Sequence, residues 1–173
     1  LCWGNNSFFQ LGNNPQFTMG DNSAASKSKT PVYVKNSDGS NLSGVIGLAT
    51  GTQHACALLN TTKVKCWGLI AANLTGRSAT YKYEGQRTAE FVKDIFPMTA
   101  TQTQVDALLP ISGIVGLKAS TYGTCLLKNT GRVVCFGDNG LGHEGNNNGF
   151  VLQCFNDSQS GICDATNGLP IEN

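Results

Sequence analysis

Charged residues are scarce in this sequence. Lys, Arg, Asp and Glu together make up 13% of its 173 residues, about half of the share that is usual in soluble domains. Twelve basic residues nearly balance eleven acidic ones, which leaves a net charge of +1. This composition excludes a coiled coil, a disordered acidic tail and a strongly basic nucleic-acid-binding arm. We therefore expect no nucleic acid among the partners of this protein.

Long hydrophobic runs are also missing. The longest apolar stretches cover four or five residues, as at 45–49, whereas a membrane-spanning helix needs about 20. We therefore expect no direct insertion into a membrane. The chain is long enough for one sizeable hydrophobic core and short for two.

Residues that carry catalysis or bind metals are few. The sequence has two histidines, His54 and His143, and neither lies at a ligand spacing from the cysteines. It contains neither a G-x-S-x-G nucleophile motif nor a phosphate-binding loop with its lysine. We predict a non-enzymatic protein with no catalytic residues, no metal site and no cofactor.

Cysteine, by contrast, is abundant, with seven residues. Six of them form three close pairs: Cys56 with Cys66, Cys125 with Cys135, and Cys154 with Cys163. The pairing predicts three disulfides and an oxidising compartment. The alternative is that these cysteines are reduced and buried, where they act as small apolar residues.

The sequence also contains five N-x-[S/T] motifs for N-linked glycans, at Asn5, Asn41, Asn60, Asn73 and Asn156. Together with the cysteines they favour a secreted or cell-surface glycoprotein. An Asn- and Gly-rich repeat could also produce such motifs by accident.

An internal repeat explains why two of the cysteine pairs have the same spacing. When residues 42–68 are shifted by 69 positions onto residues 111–137, no gap is needed and 12 of the 27 positions are identical. A repeat of this kind is typical of solenoids and propellers. The segment Cys2-Trp3-Gly4 matches Cys66-Trp67-Gly68 and Cys135-Phe136-Gly137 and marks the end of a further copy. We predict that the shared aromatic residues Trp3, Trp67 and Phe136 lie in the core between repeats.

Each repeat has the pattern of short β-strands. We predict strands at 30–34 and 45–49 and a hairpin of 54–59 with 63–68, whose register places Cys56 opposite Cys66. The same register places Cys125 opposite Cys135. The hairpin partner of Cys2 would precede Leu1, so we predict that Cys2 is unpaired or bonded to a cysteine outside this chain.

The ordered motifs resemble the regulator of chromosome condensation repeat family. They are Thr-Pro-Val-x-Val at 30–34, Leu-Ser-Gly-Val at 42–45, the segment 51–58, Val-Lys-Cys-Trp-Gly at 64–68 and Gln-Leu-Gly at 10–12. The Cys-Trp-Gly form is similar to its extracellular branch. The resemblance implies an all-β fold with propeller blades of four antiparallel strands. About two blades and part of a third would fit here, as a segment of a larger, seven-bladed propeller. It also implies that His54 supports blade packing through a hydrogen bond.

These patterns divide the propeller segment, 1–173, into five parts. The tail of one repeat and a loop cover 1–29, a repeat covers 30–76, and an insertion covers 77–104. The insertion is predicted to contain a short helix with Phe91, Val92, Ile95 and Phe96 on one face. A second repeat covers 105–149, and a disulfide-linked insertion with the start of another repeat covers 150–173.

Three functions compete on this basis. The first is an extracellular protein-interaction or structural module, whose partners are other protein chains, copies of itself or the rest of a longer chain. The second is a soluble partner-binding or inhibitor propeller. The third is guanine-nucleotide exchange on a small GTPase, as in the founding member of the family, which the cysteines and glycan motifs disfavour.

Overall fold

The computed structural model describes residues 1–70, 84–92, 109–121 and 123–137. These residues form nine β-strands and one turn of 3-10 helix at Ala24–Ser26, without an α-helix. No helix among them is long and apolar enough to span a membrane. The strands are β1 Cys2–Asn5, β2 Lys27–Val32, β3 Val45–Thr50, β4 His54–Leu59, β5 Val64–Ile70, β6 Glu84–Phe91, β7 Ile114–Ala119, β8 Gly123–Lys128 and β9 Val133–Gly137.

The described strands form three antiparallel sheets that follow one another along the chain. The first sheet pairs β1 with β2, the central sheet has the order β3-β4-β5-β6, and the third sheet has the order β7-β8-β9. The fold class is therefore all-β with blade-like antiparallel sheets, as predicted, and it is consistent with a partial propeller.

The central sheet is covered on both faces. Every residue of β4 is buried, and most of β5 is as well, because alternate side chains of a strand point to opposite faces. One face contributes Cys56, Leu58 and Val64 to a core shared with the third sheet. The other contributes Ala55, Ala57 and Trp67 to a smaller core beside the first sheet. We call these the large core and the small core.

The sequence repeat is reproduced in the strand pairing. The β3–β4 and β7–β8 pairs have the same register, each with a bulge at the residue before a glycine, Gly47 or Gly116. Each hairpin also begins after a glycine with positive φ, 70° at Gly44 and 74° at Gly113. These glycines adopt the left-handed conformation that residues with a Cβ disfavour.

The predicted insertion contains the fourth strand of the central sheet. Strand β6 pairs with β5, with Lys65 opposite Phe91 and Cys66 opposite Glu90. The helix predicted from Phe91 onward is therefore wrong at its first residue, because pairing with β5 determines the backbone there. Val92 is buried in the large core, whereas Ile95 and Phe96 lie outside the described residues.

The strand predicted at 30–34 lies slightly earlier and in a different sheet. Strand β2 ends at Val32 and pairs with β1, with Cys2 opposite Val32. It has no partner beyond β1 within the described residues, which suits Pro31 because proline cannot donate a ladder hydrogen bond. The predicted boundary between 1–29 and 30–76 therefore cuts through the first sheet.

Candidate interaction surface

The aromatic repeat position is buried only where a neighbouring sheet covers it. Trp67 is 1% exposed in the small core, and its Nε1 donates to the carbonyl of Gln10 at 2.9 Å. Gly12 makes room for this ring, because a Cβ there would lie 2.7 Å from the Trp67 Cδ1. Phe136 is buried in the large core.

Trp3 contradicts the prediction that it lies in a core. It is 65% exposed, although it occupies the same repeat position as Trp67. The first sheet covers Trp67, whereas no sheet covers Trp3 in the part of the chain that the structure describes. The motif therefore specifies an aromatic residue for packing, and burial depends on the neighbouring sheet.

His54 connects the central sheet to the third sheet. Its Nε2 lies 2.8 Å from the Thr124 hydroxyl, and both residues are buried. This contact confirms the predicted packing role. Burial lowers the pKa of His54 below its usual value of 6.5, because desolvation disfavours the imidazolium. His143 lies outside the described residues.

Lys65 joins the central sheet to the loop after the first sheet. Its Nζ donates to the Asn36 Oδ1 at 2.7 Å and lies 4.2 Å from the centre of the Phe91 ring. Burial lowers the pKa of Lys65, while the nearby carboxylates of Glu90 and Asp38 oppose that shift. The buried ammonium is thus held by an amide oxygen and an aromatic face.

Two disulfides link the hairpins. Cys56 bonds to Cys66, and Cys125 bonds to Cys135, with Cα–Cα distances of 4.1 and 4.0 Å. In both hairpins the bonded cysteines are direct partners in the antiparallel ladder, as the repeat pattern predicted. The pair Cys154 and Cys163 lies outside the described residues.

A contiguous apolar surface lies between the first sheet and strand β3. Two adjoining cavities of about 370 and 280 Å³ share Leu1 and Leu48 in their walls. Five exposed side chains line one or both cavities, and we call them the apolar surface: Leu1, Trp3, Tyr33, Val45 and Leu48. Large exposed apolar patches are typical of protein-binding sites.

Cys2 lies beside this surface and lines both cavities. It is half-buried and has a free thiol. Burial raises the pKa of the Cys2 thiol, and the positive charge of the N-terminal ammonium partly opposes this. Within the described residues Cys2 has no disulfide partner, and that it is unpaired or bonded to a cysteine outside this chain stays a prediction.

Three of the predicted glycan sites are exposed in the structure, at Asn5, Asn41 and Asn60. Asn41 accepts a hydrogen bond from the Lys35 ammonium at 2.6 Å through its Oδ1. Asn60 lies in the turn of the β4–β5 hairpin, where its backbone N–H donates to the carbonyl of Gly44. The other two, Asn73 and Asn156, lie outside the described residues.

Within the described residues, no three His, Cys, Asp or Glu side chains are grouped closely enough to hold a metal ion. The exposed side chains of the apolar surface offer packing contacts, and the Cys2 thiol lies beside them. Such a surface can bury apolar side chains of another polypeptide.

One sequence family matches the chain over its first third. Residues 1–58 match the Regulator of chromosome condensation (RCC1) repeat. The matched residues run from β1 through β4 and so span the first sheet and half of the central sheet. Comparison with curated protein sequences finds no significant match.

Solved structures similar to this chain include yeast RCC1 (Prp20) bound to Kap60, at 17% identity and a TM-score of 0.47, with 79% of this chain and 25% of that chain covered. Prp20p from Saccharomyces cerevisiae, described with its binding to Gsp1p and histones, has 22% identity and a TM-score of 0.45, with 79% and 28% covered. Human WBSCR16 has 19% identity and a TM-score of 0.39, with 78% and 41% covered. The chain thus spans about a quarter to two fifths of these proteins.

Sequence reasoning missed the apolar surface. Trp3 and Leu48 occupy repeat positions whose equivalents are more buried, so the pattern assigned Trp3 to the core. No local signal distinguishes Trp3 from Trp67, because both lie in the same Cys-Trp-Gly motif and differ in whether a described sheet covers them.

Proposed function

We propose that this chain is a non-enzymatic protein-interaction or structural module of a secreted or cell-surface glycoprotein assembly. Its partners are other protein chains, copies of itself or further repeats of a longer chain. The observation that carries the proposal is the apolar surface, in which exposed Trp3, Tyr33 and Leu48 line two adjoining cavities. When another polypeptide covers such a patch, each Å² of apolar surface removed from water contributes roughly 25 cal/mol of favourable free energy.

The extracellular assignment is supported by the two hairpin disulfides and by the exposed glycan motifs. Disulfides persist in oxidising compartments and are rare in the reducing cytosol. Asn41 and Asn60 are exposed on loops, where an attached glycan would avoid the two cores. The Cys-Trp-Gly form of the repeat points to the same extracellular branch.

The alternative is a soluble propeller that binds or inhibits one partner. It would present its recognition face on a closed monomeric ring, and the disulfides and glycan motifs fit it equally well. Nucleotide exchange on a small GTPase is a weaker alternative. The RCC1 repeat match favours it, and the disulfides argue against it.

The association is tested with Leu48→Asp, which places a charge in the apolar surface. We expect the unmodified 173-residue chain to self-associate in sedimentation at micromolar concentration and Leu48→Asp to weaken that association at least tenfold, about 1.4 kcal/mol. Leu109→Asp is the matched control, because Leu109 is exposed outside the apolar surface. A chain that sediments as a monomer with an intact apolar surface would support the soluble alternative instead.

The compartment is tested separately by mass spectrometry of the protein from its native source. We expect oxidised Cys56 and Cys66 together with glycans on Asn41 or Asn60. Free thiols with unmodified asparagines would contradict an extracellular role and favour the exchange factor.

A further inference from the structure

A separate cavity lies between the loop that follows β1 and the start of β2. Its volume is about 420 Å³, which is within the range of small-molecule sites, roughly 300–1,000 Å³. None of its wall residues belongs to the apolar surface, and all of them fall within 6–28. We call it the amide cavity, after the polar side chains that line it together with one aromatic ring: Asn6, Asn13, Gln16, Phe17, Lys27 and Ser28.

The loop in the wall of the amide cavity is held by its own buried groups. Asn6 is 3% exposed, and its Oδ1 accepts a hydrogen bond from the Leu11 N–H at 2.8 Å. The backbone N–H of Asn6 donates to the carbonyl of Ser26 at 2.8 Å. Phe9 has a positive φ of 64°, a conformation that a bulky residue keeps only where its surroundings enforce it.

Strand β6 of the central sheet holds the same loop from the other side. The Arg87 guanidinium lies 4.4 Å from the centre of the Phe9 ring and donates to the carbonyl of Pro15. The Asn14 N–H donates to the carbonyl of Arg87 at 2.9 Å. These contacts fix the shape of the cavity wall before a ligand binds, and a preformed site lowers the free-energy cost of ordering on binding.

Asn13 contributes a donor that no described residue uses. The Asn6 Nδ2 donates to the Asn13 Oδ1 at 2.9 Å, and this contact sets which way the Asn13 amide is turned. The Asn13 Nδ2 carries two N–H groups, and it forms no hydrogen bond within the described part of the chain. Both N–H groups are therefore available to a ligand.

The other wall groups define the chemistry of that ligand. The exposed Lys27 ammonium donates to the backbone carbonyl of Asn22 at 3.2 Å, and no wall residue of the cavity carries a carboxylate. The half-buried Phe17 ring provides an apolar face. Amide and hydroxyl side chains both donate and accept hydrogen bonds, as the hydroxyls of a sugar do. A sugar that carries a carboxylate matches all of these groups.

We propose that the amide cavity binds an acidic sugar residue. The Asn13 Nδ2 donates to an oxygen of the sugar, the C–H face of the pyranose ring packs on Phe17, and Lys27 pairs with the carboxylate. This inference goes beyond the proposed function and does not depend on it, because the amide cavity and the apolar surface share no residue.

The test titrates the full 173-residue chain with methyl β-glucuronide and with methyl β-glucoside, which lacks the carboxylate, and follows the backbone amide signals by NMR. We expect the glucuronide to shift signals within 6–28 with a dissociation constant in the millimolar range, as is usual for a ligand of this size. The glucoside should bind about three- to fivefold more weakly, because an exposed ion pair contributes little. Methyl sialoside is the second acidic sugar, and the tighter of the two identifies the class of sugar.

Three variants assign the contacts. Asn13→Asp retains the oxygen that accepts from Asn6 and removes the donor, and we expect it to weaken binding of the glucuronide at least about tenfold. Lys27→Met keeps the alkyl stem, and it should reduce the affinity for the glucuronide to that for the glucoside. Lys29→Met is the matched control and should change neither affinity, because Lys29 is exposed on the same strand outside the cavity wall.

Two results would overturn the inference. One is the absence of shifts within 6–28 at millimolar concentrations of both acidic sugars. The other is equally tight binding of N-acetylglutamate, which has carboxylates without sugar hydroxyls and would show that the cavity binds anions in general. Neither result changes the effect of Leu48→Asp on sedimentation, so the proposed function is decided separately.

Discussion

At the residue scale, one pair of repeat positions differs between the two copies in a coupled way. The space beside the Gly51 Cα is filled by the His54 ring, with which a Cβ at Gly51 would collide. In the later copy the equivalent residues are Ser120 and Gly123. There the imidazole is absent, and the Ser120 hydroxyl accepts a hydrogen bond from the Gly123 N–H at 3.1 Å. A side chain is therefore present at one of the two positions in each copy, in a way that avoids the collision.

The buried His54 predicts a dependence of stability on pH. Its pKa is lowered in the folded state, so the unfolded chain binds more protons below the usual value of 6.5. The free energy of unfolding should therefore fall as the pH decreases from 6.5 towards the lowered pKa of His54, by at most about 1.4 kcal/mol per pH unit for one group. The stabilisation is fully present above the usual pKa.

His54→Asn removes this titration, and denaturant unfolding between about pH 8 and pH 5 measures the difference. We expect the unmodified chain to lose more stability than the variant over that range. His143 is unchanged in both proteins, so its contribution cancels. Parallel pH profiles would show that His54 titrates alike in the folded and unfolded states.

At the element scale, each hairpin disulfide closes a loop of the same length but lies in a different environment. Both bonds have a sequence separation of 10, so the chain-entropy model assigns each about 3 kcal/mol. Cys56 and Cys66 are fully buried in the large core. Cys125 and Cys135 are half-buried, because the described residues place a sheet over one face of their hairpin only.

We therefore expect the double variant Cys56→Ala with Cys66→Ala to lose more free energy of unfolding than Cys125→Ala with Cys135→Ala. The excess arises from the cavity left by two buried sulfurs and is about 1–2 kcal/mol. Chemical denaturation of the two double variants in the same buffer measures it. Equal losses would indicate that loop closure alone determines the contribution of each bond.

At the scale of the whole molecule, sheet stacking decides which repeat positions are buried. Leu58 and Leu127 occupy the same position of β4 and β8, each paired with a glycine at the bulge. Leu58 is 4% exposed because the third sheet covers it, whereas Leu127 is 41% exposed. The same leucine at the same repeat position is thus buried in one copy and exposed in the other.

Truncating this leucine in each copy should separate the effect of the residue itself on stability from the effect of sheet stacking. We expect Leu58→Ala to reduce the free energy of unfolding by about 2–4 kcal/mol, and Leu127→Ala by well under half of that. Thermal or denaturant unfolding of the two variants measures the contrast, and each is the control for the other. A similar loss in both would mean that a further layer covers Leu127 in solution.

The sequence predicted the hairpins well because their signals are local. The spacing of Cys56 and Cys66 around a short turn determines which residues face each other, and the repeat confirms it at Cys125 and Cys135. The edge character of the strand with Pro31 also followed from the missing N–H. Strand β6 was not recognised, because no equivalent copy of its residues was found in the repeat and its pairing partner lies about 20 residues earlier.

The amino-acid sequence by itself determined the repeat, the β-strands of each hairpin and the cysteine pair within each of them. These depend on residues that are close in sequence or related by the repeat. Only the tertiary structure decided that β6 completes the central sheet, that β2 belongs with β1, and that Trp3 and Leu48 are exposed. Those outcomes depend on which sheet covers which face. The residues next to a side chain in the sequence do not specify which sheet packs against it.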